Sequence, residues 1–296
     1  LHRTFIHLST PSLGDTIAWL PQVEEYRLTL APAGAEIDVV VDWHFCDLFI
    51  STYPSLNFVG EARKVDYDAS FEVGCHEPRD LQKNIISVAT EQLGLPCVDI
   101  SPKIALPSDL KNNFKKPYVC IATQSTSQMK YWNNPTGWNE TVNYLKTLGY
   151  DVVCIDQNEC YGIEGRWNRT PVNSIRKNEF NDGTKKPPIP LSDRVNDLYF
   201  CDFFIGLSSG LSWLAWAMDK PVVLIAGAAA ENQEFYTPYK VINYDVCHCC
   251  AGDPECEPFD RGNWMWCPKQ GGTDREFECS RQISFEMVKE QIDRLL

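Results

Sequence analysis

The apolar run Phe203-Phe204-Ile205 passes directly into Gly206-Leu207-Ser208-Ser209-Gly210-Leu211-Ser212 and then into Trp213-Leu214-Ala215-Trp216-Ala217. A short apolar run, a turn of small and hydroxyl residues and an apolar segment of helical character make a buried strand, a turn and a helix. In such a unit the first N–H groups of the helix are unpaired and carry the positive end of its dipole, so the turn accepts an anion, typically a phosphate. Gly206 and Gly210 are expected to let the backbone approach that anion, and Ser208, Ser209 and Ser212 to supply hydroxyl donors. Taken alone, a turn of this kind is more often a plain connection than a ligand site. The rest of the chain has to supply the context.

That context is alternation. Residues 3–8 read as a strand, followed by a Gly-containing turn ending in Asp15 and a helix from Thr16 to Arg27, in which Pro21 is expected to produce a kink. By spacing alone Asp15 is a helix N-cap. Glu36–Val41, Leu56–Gly60 and Asp68–Val73 are predicted strands, and Trp43–Thr52 and Asp80–Leu93 predicted helices. Residues 111–117 form a polar linker ending in Pro117. Beyond it come strands at Tyr118–Thr123, Asp151–Asp156, Asp202–Gly206 and Pro221–Ala226, with helices at Pro135–Leu148, Leu191–Phe200 and Ser209–Met218. Residues 157–190 carry no assignable pattern, and Lys185-Lys186-Pro187-Pro188 is expected to be exposed. The end of the chain, Ser284 to Leu296, is amphipathic, with Val288, Ile292 and Leu295 on one face. Strands alternating with helices predict an α/β fold of parallel sheets. The expected division is 1–112, 113–245, a cysteine-rich segment 246–283 and a C-terminal helix 284–296. Two such sheets face each other across a cleft, and ligands bind at the carboxyl ends of the strands. Asp15, the loop 124–130 and the turn 206–212 would then line one cleft.

Composition removes several classes of function. A net charge of −13 over 296 residues disfavours nucleic acid and anionic membranes as partners. No apolar run of about 18 residues could span a bilayer and no signal segment is recognisable, so the expected location is the cytoplasm. Neither a Walker sequence nor a Gly-x-Gly-x-x-Gly turn occurs. A phosphate cradle, a cleft carboxylate and a loop lysine suit group transfer from a nucleoside diphosphate instead. Asp15 would take a proton from an acceptor hydroxyl, and Lys130 would offset charge on the departing diphosphate. A lysine in a loop is more commonly just a solvated cation.

The cysteines add a separate signal. Of the 13 in the chain, Cys46, Cys75, Cys97, Cys120, Cys154, Cys160 and Cys201 are scattered, and the remainder crowd into residues 247–279. This fits a reduced compartment with one metal site better than a secreted disulfide scaffold. A close pair, Cys247 and Cys250, with Cys267 and Cys279 brought back by the chain, supplies four thiolates for one tetrahedral ion; Cys249, Cys256 and His248 are reserves. The intervening Gly, Pro and Trp residues form little regular structure, so the ion would act as a staple. Thiolates alone leave iron and zinc open.

With these residues in view, the chain resembles the bacterial autotransporter heptosyltransferases. The resemblance runs from the first strand to the end and is carried by Ser12-Leu13-Gly14-Asp15-Thr16-Ile17-Ala18-Trp19, Gln128-Met129-Lys130-Tyr131-Trp132-Asn133-Asn134-Pro135, Trp264-Met265-Trp266-Cys267-Pro268 and Glu278-Cys279-Ser280. The turn Ser208-Ser209-Gly210 is also similar to the donor-binding turn of lipopolysaccharide heptosyltransferases. The resemblance implies a glycosyltransferase B fold, two Rossmann-like domains facing a cleft, and transfer of heptose from ADP-heptose to serine hydroxyls of an autotransporter adhesin. It implies that Asp15 is the catalytic carboxylate, that Lys130 is the diphosphate-side lysine, and that the cysteine tail holds iron. Donor contacts are expected from Gly14, Thr123, Gln124, Gly206, Ser208, Ser209 and Gly210, and a homo-oligomer is an expected assembly. One departure from the family is that almost nothing precedes the first strand here. The competing expectations are a lipid-linked or capsular glycan as acceptor, and a non-catalytic module in which the sheets merely bind a sugar nucleotide and the cysteine tail mediates assembly.

Overall fold

The computed structural model of the chain describes residues 2–96, 100–158, 170–177 and 190–296. It opens with β1 (Arg3–Leu8), in which every second side chain, Thr4, Ile6 and Leu8, is buried. Next come α1 (Leu13–Thr29), β2 (Glu36–Val40), α2 (Cys46–Thr52), β3 (Asn57–Phe58), β4 (Ala69–Val73) and α3 (Ile85–Gln92). The strands form a parallel sheet in the order β3-β2-β1-β4, with Ile6 opposite Val39 on one side and Phe71 on the other.

A second set follows: β5 (Tyr118–Ile121), α4 (Gly137–Thr147), β6 (Asp151–Cys154), β7 (Ile175–Arg176), α5 (Leu191–Phe200), β8 (Phe204–Leu207), α6 (Gly210–Ala217), β9 (Val222–Ile225) and β10 (Lys240–Val241). They build a parallel six-stranded sheet in the order β10-β9-β8-β5-β6-β7. Every residue of β5, β8 and β9 is buried, because helices cover both faces and leave these strands no polar side. The expected parallel α/β architecture is therefore the one observed.

Local differences have local causes. Pro21 lies inside α1, yet the helix continues through it to Thr29. An interior proline costs about 3 kcal/mol, and here its neighbours Ile17, Ala18, Trp19, Leu20 and Val23 are all fully or almost fully buried. The helix expected over 80–93 is broken into a 3-10 turn at Pro78–Gln82 and α3, because Asn84 caps α3 by accepting from the Ile86 N–H at 2.9 Å. The helix expected from Pro135 starts at Gly137, where Asn134 accepts from the Thr136 and Gly137 N–H groups at 3.1 and 3.0 Å. Of the stretch 157–190, residues 159–169 and 178–189 lie outside the described residues, the Lys185–Pro188 run among them; β7 falls in the described part.

One hydrophobic core joins the two sheets through α1 and α6, where Ile17 and Trp19 share a cluster with Trp213 and Leu214. Backbone and amide bonds close the same junction: Ile85 N–H donates to Gln233 O at 3.0 Å, and the Gln233 side chain donates to Leu81 O at 2.7 Å. The chain ends in α7 (Glu278–Arg281) and α8 (Phe285–Leu295). The buried face of α8, Val288 and Ile292, packs on α4, β9 and β10, so this helix completes the covering of the second sheet. Among the described residues no helix is long and apolar enough to cross a membrane.

Candidate functional site

Strand order locates the site before any side chain is considered. In the second sheet the chain runs from β5 outward through β6 to β7, and from β8 outward through β9 to β10, so the connections diverge between β5 and β8. In the first sheet they diverge between β1 and β4. Crevices open at the carboxyl ends of strands at such switch points. The loops there are 9–12 and 74–77 from the first sheet, and 122–130 and 208–209 from the second.

Between them lies a cavity of about 350 Å³ lined by Asp15, Gln124, Lys130, Ser208, Ser209 and Gly210, among others. A second cavity of about 200 Å³ adjoins it and shares Asp15, Lys130 and Glu234. A larger cavity of about 460 Å³, between residues 107–113 and α5, contains none of these three residues, so chemistry rather than size singles out the cleft.

Asp15 stands in the first turn of α1 but does not cap it. Ser12 occupies the cap position, and the Asp15 carboxylate accepts from the Thr10 hydroxyl at 2.8 Å. Burial raises the carboxyl above its ordinary value of 3.8, while the Thr10 hydrogen bond and the charges of Lys130 and Arg261 pull it down. The N-cap expected from spacing is thus replaced by a carboxylate aimed into the cleft. Lys130 closes a 3-10 turn, Gln128–Lys130, with its ammonium 6.0 Å from the centre of the Phe259 ring.

The loop that carries Lys130 is held from two sides. At its start, buried Asp156 accepts from the Thr123 N–H at 2.7 Å and the Thr123 hydroxyl at 2.9 Å. At its end, Gln128 N–H donates to Trp264 O at 3.1 Å, Asn133 donates to the Ser280 hydroxyl at 2.8 Å, and Trp132 Nε1 donates to Ile283 O at 2.8 Å. The cysteine-rich segment and its flank therefore clamp the lysine loop.

The turn after β8 contains two buried hydroxyls, Ser208 Oγ and Ser209 Oγ, that have no hydrogen-bond partner among the described residues. A buried hydroxyl left unpaired costs about 1–3 kcal/mol, and both residues line the 350 Å³ cavity. Ser212, by contrast, donates to Leu207 O at 2.5 Å and is used up internally. The glycines act on packing. A Cβ on Gly210 would stand 2.7 Å from Leu13 Cβ, one on Gly14 2.9 Å from Trp213 Cδ1, and one on Gly206 2.4 Å from the Phe204 ring. Gly14 and Gly210 permit the close approach of α1 and α6 and also line the cavity, whereas Gly206 does not line it. Thr123 does not line the cavity, and the Gln124 amide donates to Asn158 O at 2.6 Å.

Glu234 escaped the sequence. Its buried carboxylate accepts from Trp213 Nε1 at 2.5 Å and lines both cavities. Burial raises its pKa, opposed first by the Lys130 charge. The Ala-rich stretch around it bears no motif, but its loop follows β9, and the rule of carboxyl strand ends would have reached it.

In the tail, Cys247 Sγ and Cys250 Sγ are 3.3 Å apart, on either side of Cys249, which has a left-handed backbone at φ 55°. Cys250 and Cys279 are buried in a cluster with Trp266 and Phe277, against which Cys247, Cys256 and Cys267 pack. The Cys279 thiol is pushed up to about 12 by burial, then by the neighbouring Cys267 and Cys247. Among the described residues no group of three or more His, Cys, Asp or Glu side chains stands in a geometry that could hold a metal ion, so the expected metal-binding tail is not displayed by the fold.

Comparison with known proteins extends this picture. Residues 81–257 match the model of glycosyltransferase family 9 (heptosyltransferase). The autotransporter heptosyltransferase TibC of Escherichia coli O78:H11 is 38% identical over 98% of this chain and 70% of its own length. Two crystal structures of TibC superpose with TM-scores of 0.89 and 0.88, each at 36% identity over 99% of this chain and over 75% and 76% of TibC. One is described as an iron-containing dodecameric glycosyltransferase and the other as a complex with ADP-D-β-D-heptose. BimC of Burkholderia thailandensis, an inactive autotransporter heptosyltransferase, is 33% identical over 83% of this chain and 53% of its own length.

Proposed function

The chain belongs to glycosyltransferase family 9, the heptosyltransferases, and we propose that it transfers heptose from ADP-heptose to a serine hydroxyl of an autotransporter protein. The observation that carries this reading is the pair of unpartnered buried hydroxyls, Ser208 and Ser209, in the same cavity as Asp15 and Lys130. Buried polar groups ordinarily find partners, and a diphosphate supplies acceptor oxygens for both. The likeness to TibC, described as bound to ADP-D-β-D-heptose, supports the choice of donor. The two sheets, with domains 1–112 and 113–245, are read as a glycosyltransferase B fold.

The reaction is a single displacement at the anomeric carbon. Asp15 accepts the serine proton as the oxygen attacks, and the bond from the anomeric carbon to the phosphate oxygen breaks. The electron pair leaves with ADP, whose growing charge meets the Ser208 and Ser209 hydroxyls, the opening N–H groups of α6 and the Lys130 ammonium. A raised carboxyl pKa makes Asp15 a stronger base than a solvated aspartate.

The four cysteines Cys247, Cys250, Cys267 and Cys279 are assigned to one iron ion, with zinc as the alternative. Thiolates are the donors such an ion takes, and all four cysteines belong to one small cluster in which Cys247 and Cys250 lie 3.3 Å apart. The likeness to iron-containing TibC supports the metal. The ion would cross-link a segment short of regular structure. The cysteines in the described residues are all free, which supports a reducing cytoplasm as the location, and the dodecameric relative supports a homo-oligomer.

Thermal unfolding with ADP-, UDP- and GDP-sugars tests the donor. At about 100 times its Kd, a ligand bound only by the fold adds roughly 2.7 kcal/mol. Selective stabilisation by ADP-heptose is expected. A response to another nucleotide alone would discard heptose, and no response would favour a non-catalytic assembly role.

A further inference from the structure

The cavity of about 200 Å³ on the other side of Asp15 is not accounted for by the donor. If the diphosphate rests on Ser208 and Ser209, in-line displacement requires the attacking oxygen to arrive opposite the leaving phosphate, on a path that also touches Asp15. This second cavity offers a path that touches Asp15, because it shares Asp15, Lys130 and Glu234 with the first. Its outer wall comes from the cysteine-rich segment. Phe259 lines it with a ring packed edge-on against Trp266 at 5.3 Å, and Arg261 lines it with a guanidinium whose charge reaches Asp15. Arg261 is exposed and makes no hydrogen bond or ion pair with any described residue, so its five N–H donors are available to a visitor.

We propose that the cavity bounded by Phe259 and Arg261 is the acceptor subsite, that Arg261 donates hydrogen bonds to main-chain carbonyl oxygens of a hydroxyl-bearing peptide, and that Phe259 packs on its backbone. This rests on the transferase reading given above. The segment thereby acquires two tasks: it clamps the loop of Lys130 and it presents the acceptor wall. Phe259 and Arg261 lie between Cys256 and Cys267, so the fold of that segment sets their placement.

The test compares wild-type protein with R261A, R261K and F259A, measuring the Kd for ADP-heptose, and the KM and kcat for a serine-containing acceptor peptide. R261A is expected to raise the peptide KM about tenfold, the effect of roughly 1.4 kcal/mol, with donor Kd unchanged and R261K only partly restoring it. F259A is expected to raise the peptide KM several-fold. A weakened donor Kd in R261A would assign Arg261 to the diphosphate and overturn the proposal, and so would an unchanged peptide KM in folded R261A and F259A. Failure of the transferase reading would look different, as wild-type protein that neither binds ADP-heptose nor modifies peptide.

Discussion

Asp15 combines a catalytic assignment with a cost to stability, and both are measurable. Replacement by Asn removes the base but keeps the size and the contact with Thr10. Turnover is expected to fall about 10²–10⁴-fold, with donor Kd unchanged; an equal loss of both would make Asp15 a structural residue. The stability effect has the opposite sign. In the unfolded chain the carboxyl titrates near 3.8 and in the fold above that value. The fold therefore binds the proton more tightly, and its advantage is complete below the unfolded pKa and lost as pH rises through the folded one. At neutral pH the buried charge destabilises, so Asp15→Asn is expected to raise Tm. The gain should shrink as pH approaches 4, and a gain that grew on acidification would refute this account. Such a trade between stability and activity is usual at catalytic groups. The cleft positions of Asp15 and Lys130 were legible in the sequence because each follows a recognisable strand and turn, whereas Glu234, buried in the same cavity, had no motif to announce it.

At the scale of elements, the packing of α1 on α6 fixes how the two sheets meet, and it depends on missing side chains. A methyl group at Gly210 would stand 2.7 Å from Leu13 Cβ and 3.2 Å from the backbone N of Gly14. Overpacking of this kind costs about 1–3 kcal/mol. Gly210→Ala is expected to lower Tm and also to weaken donor binding, because Ser208 and Ser209 lead directly into the displaced α6. Calorimetry together with a donor titration checks both effects, and a variant with wild-type Tm would show that the helices yield freely. These glycines were legible as a special turn but not as a helix contact. Periodicity describes each element separately, and only the crossing of two helices distinguishes a glycine that admits an anion from one that admits a neighbour. The continuous α1 makes the same point, since its Pro21 would end an exposed helix but is held by the buried residues around it.

For the molecule as a whole, the four stretches that carry the resemblance gather around one cleft and its clamp. The loop 128–135 bonds to Trp264, Ser280 and Ile283, and α1 shares the cleft with that loop. The proposed iron would thus stabilise the segment that holds Lys130. Cys267→Ser is expected to release the metal, measured by elemental analysis, and to lower Tm by several degrees. It should also reduce kcat through Lys130. Full iron content in the folded variant would remove Cys267 from the ligand set.

The alternation of apolar strands with helices was sufficient to specify an α/β fold of parallel sheets, because that property follows from local periodicity and from the chirality of the chain. The tertiary structure decided what local pattern cannot encode. It gave the Asp15 carboxylate the Thr10 hydroxyl as its partner, committed Ser212 to Leu207 while leaving Ser208 and Ser209 unpaired, and set Glu234 in the same cavity as Lys130. It also brought Arg261 to the cleft from more than a hundred residues beyond Lys130 along the chain. Each of these depends on how segments of the chain meet, and burial, which sets both the charge of a carboxylate and the cost of an unpaired hydroxyl, exists only once those segments meet.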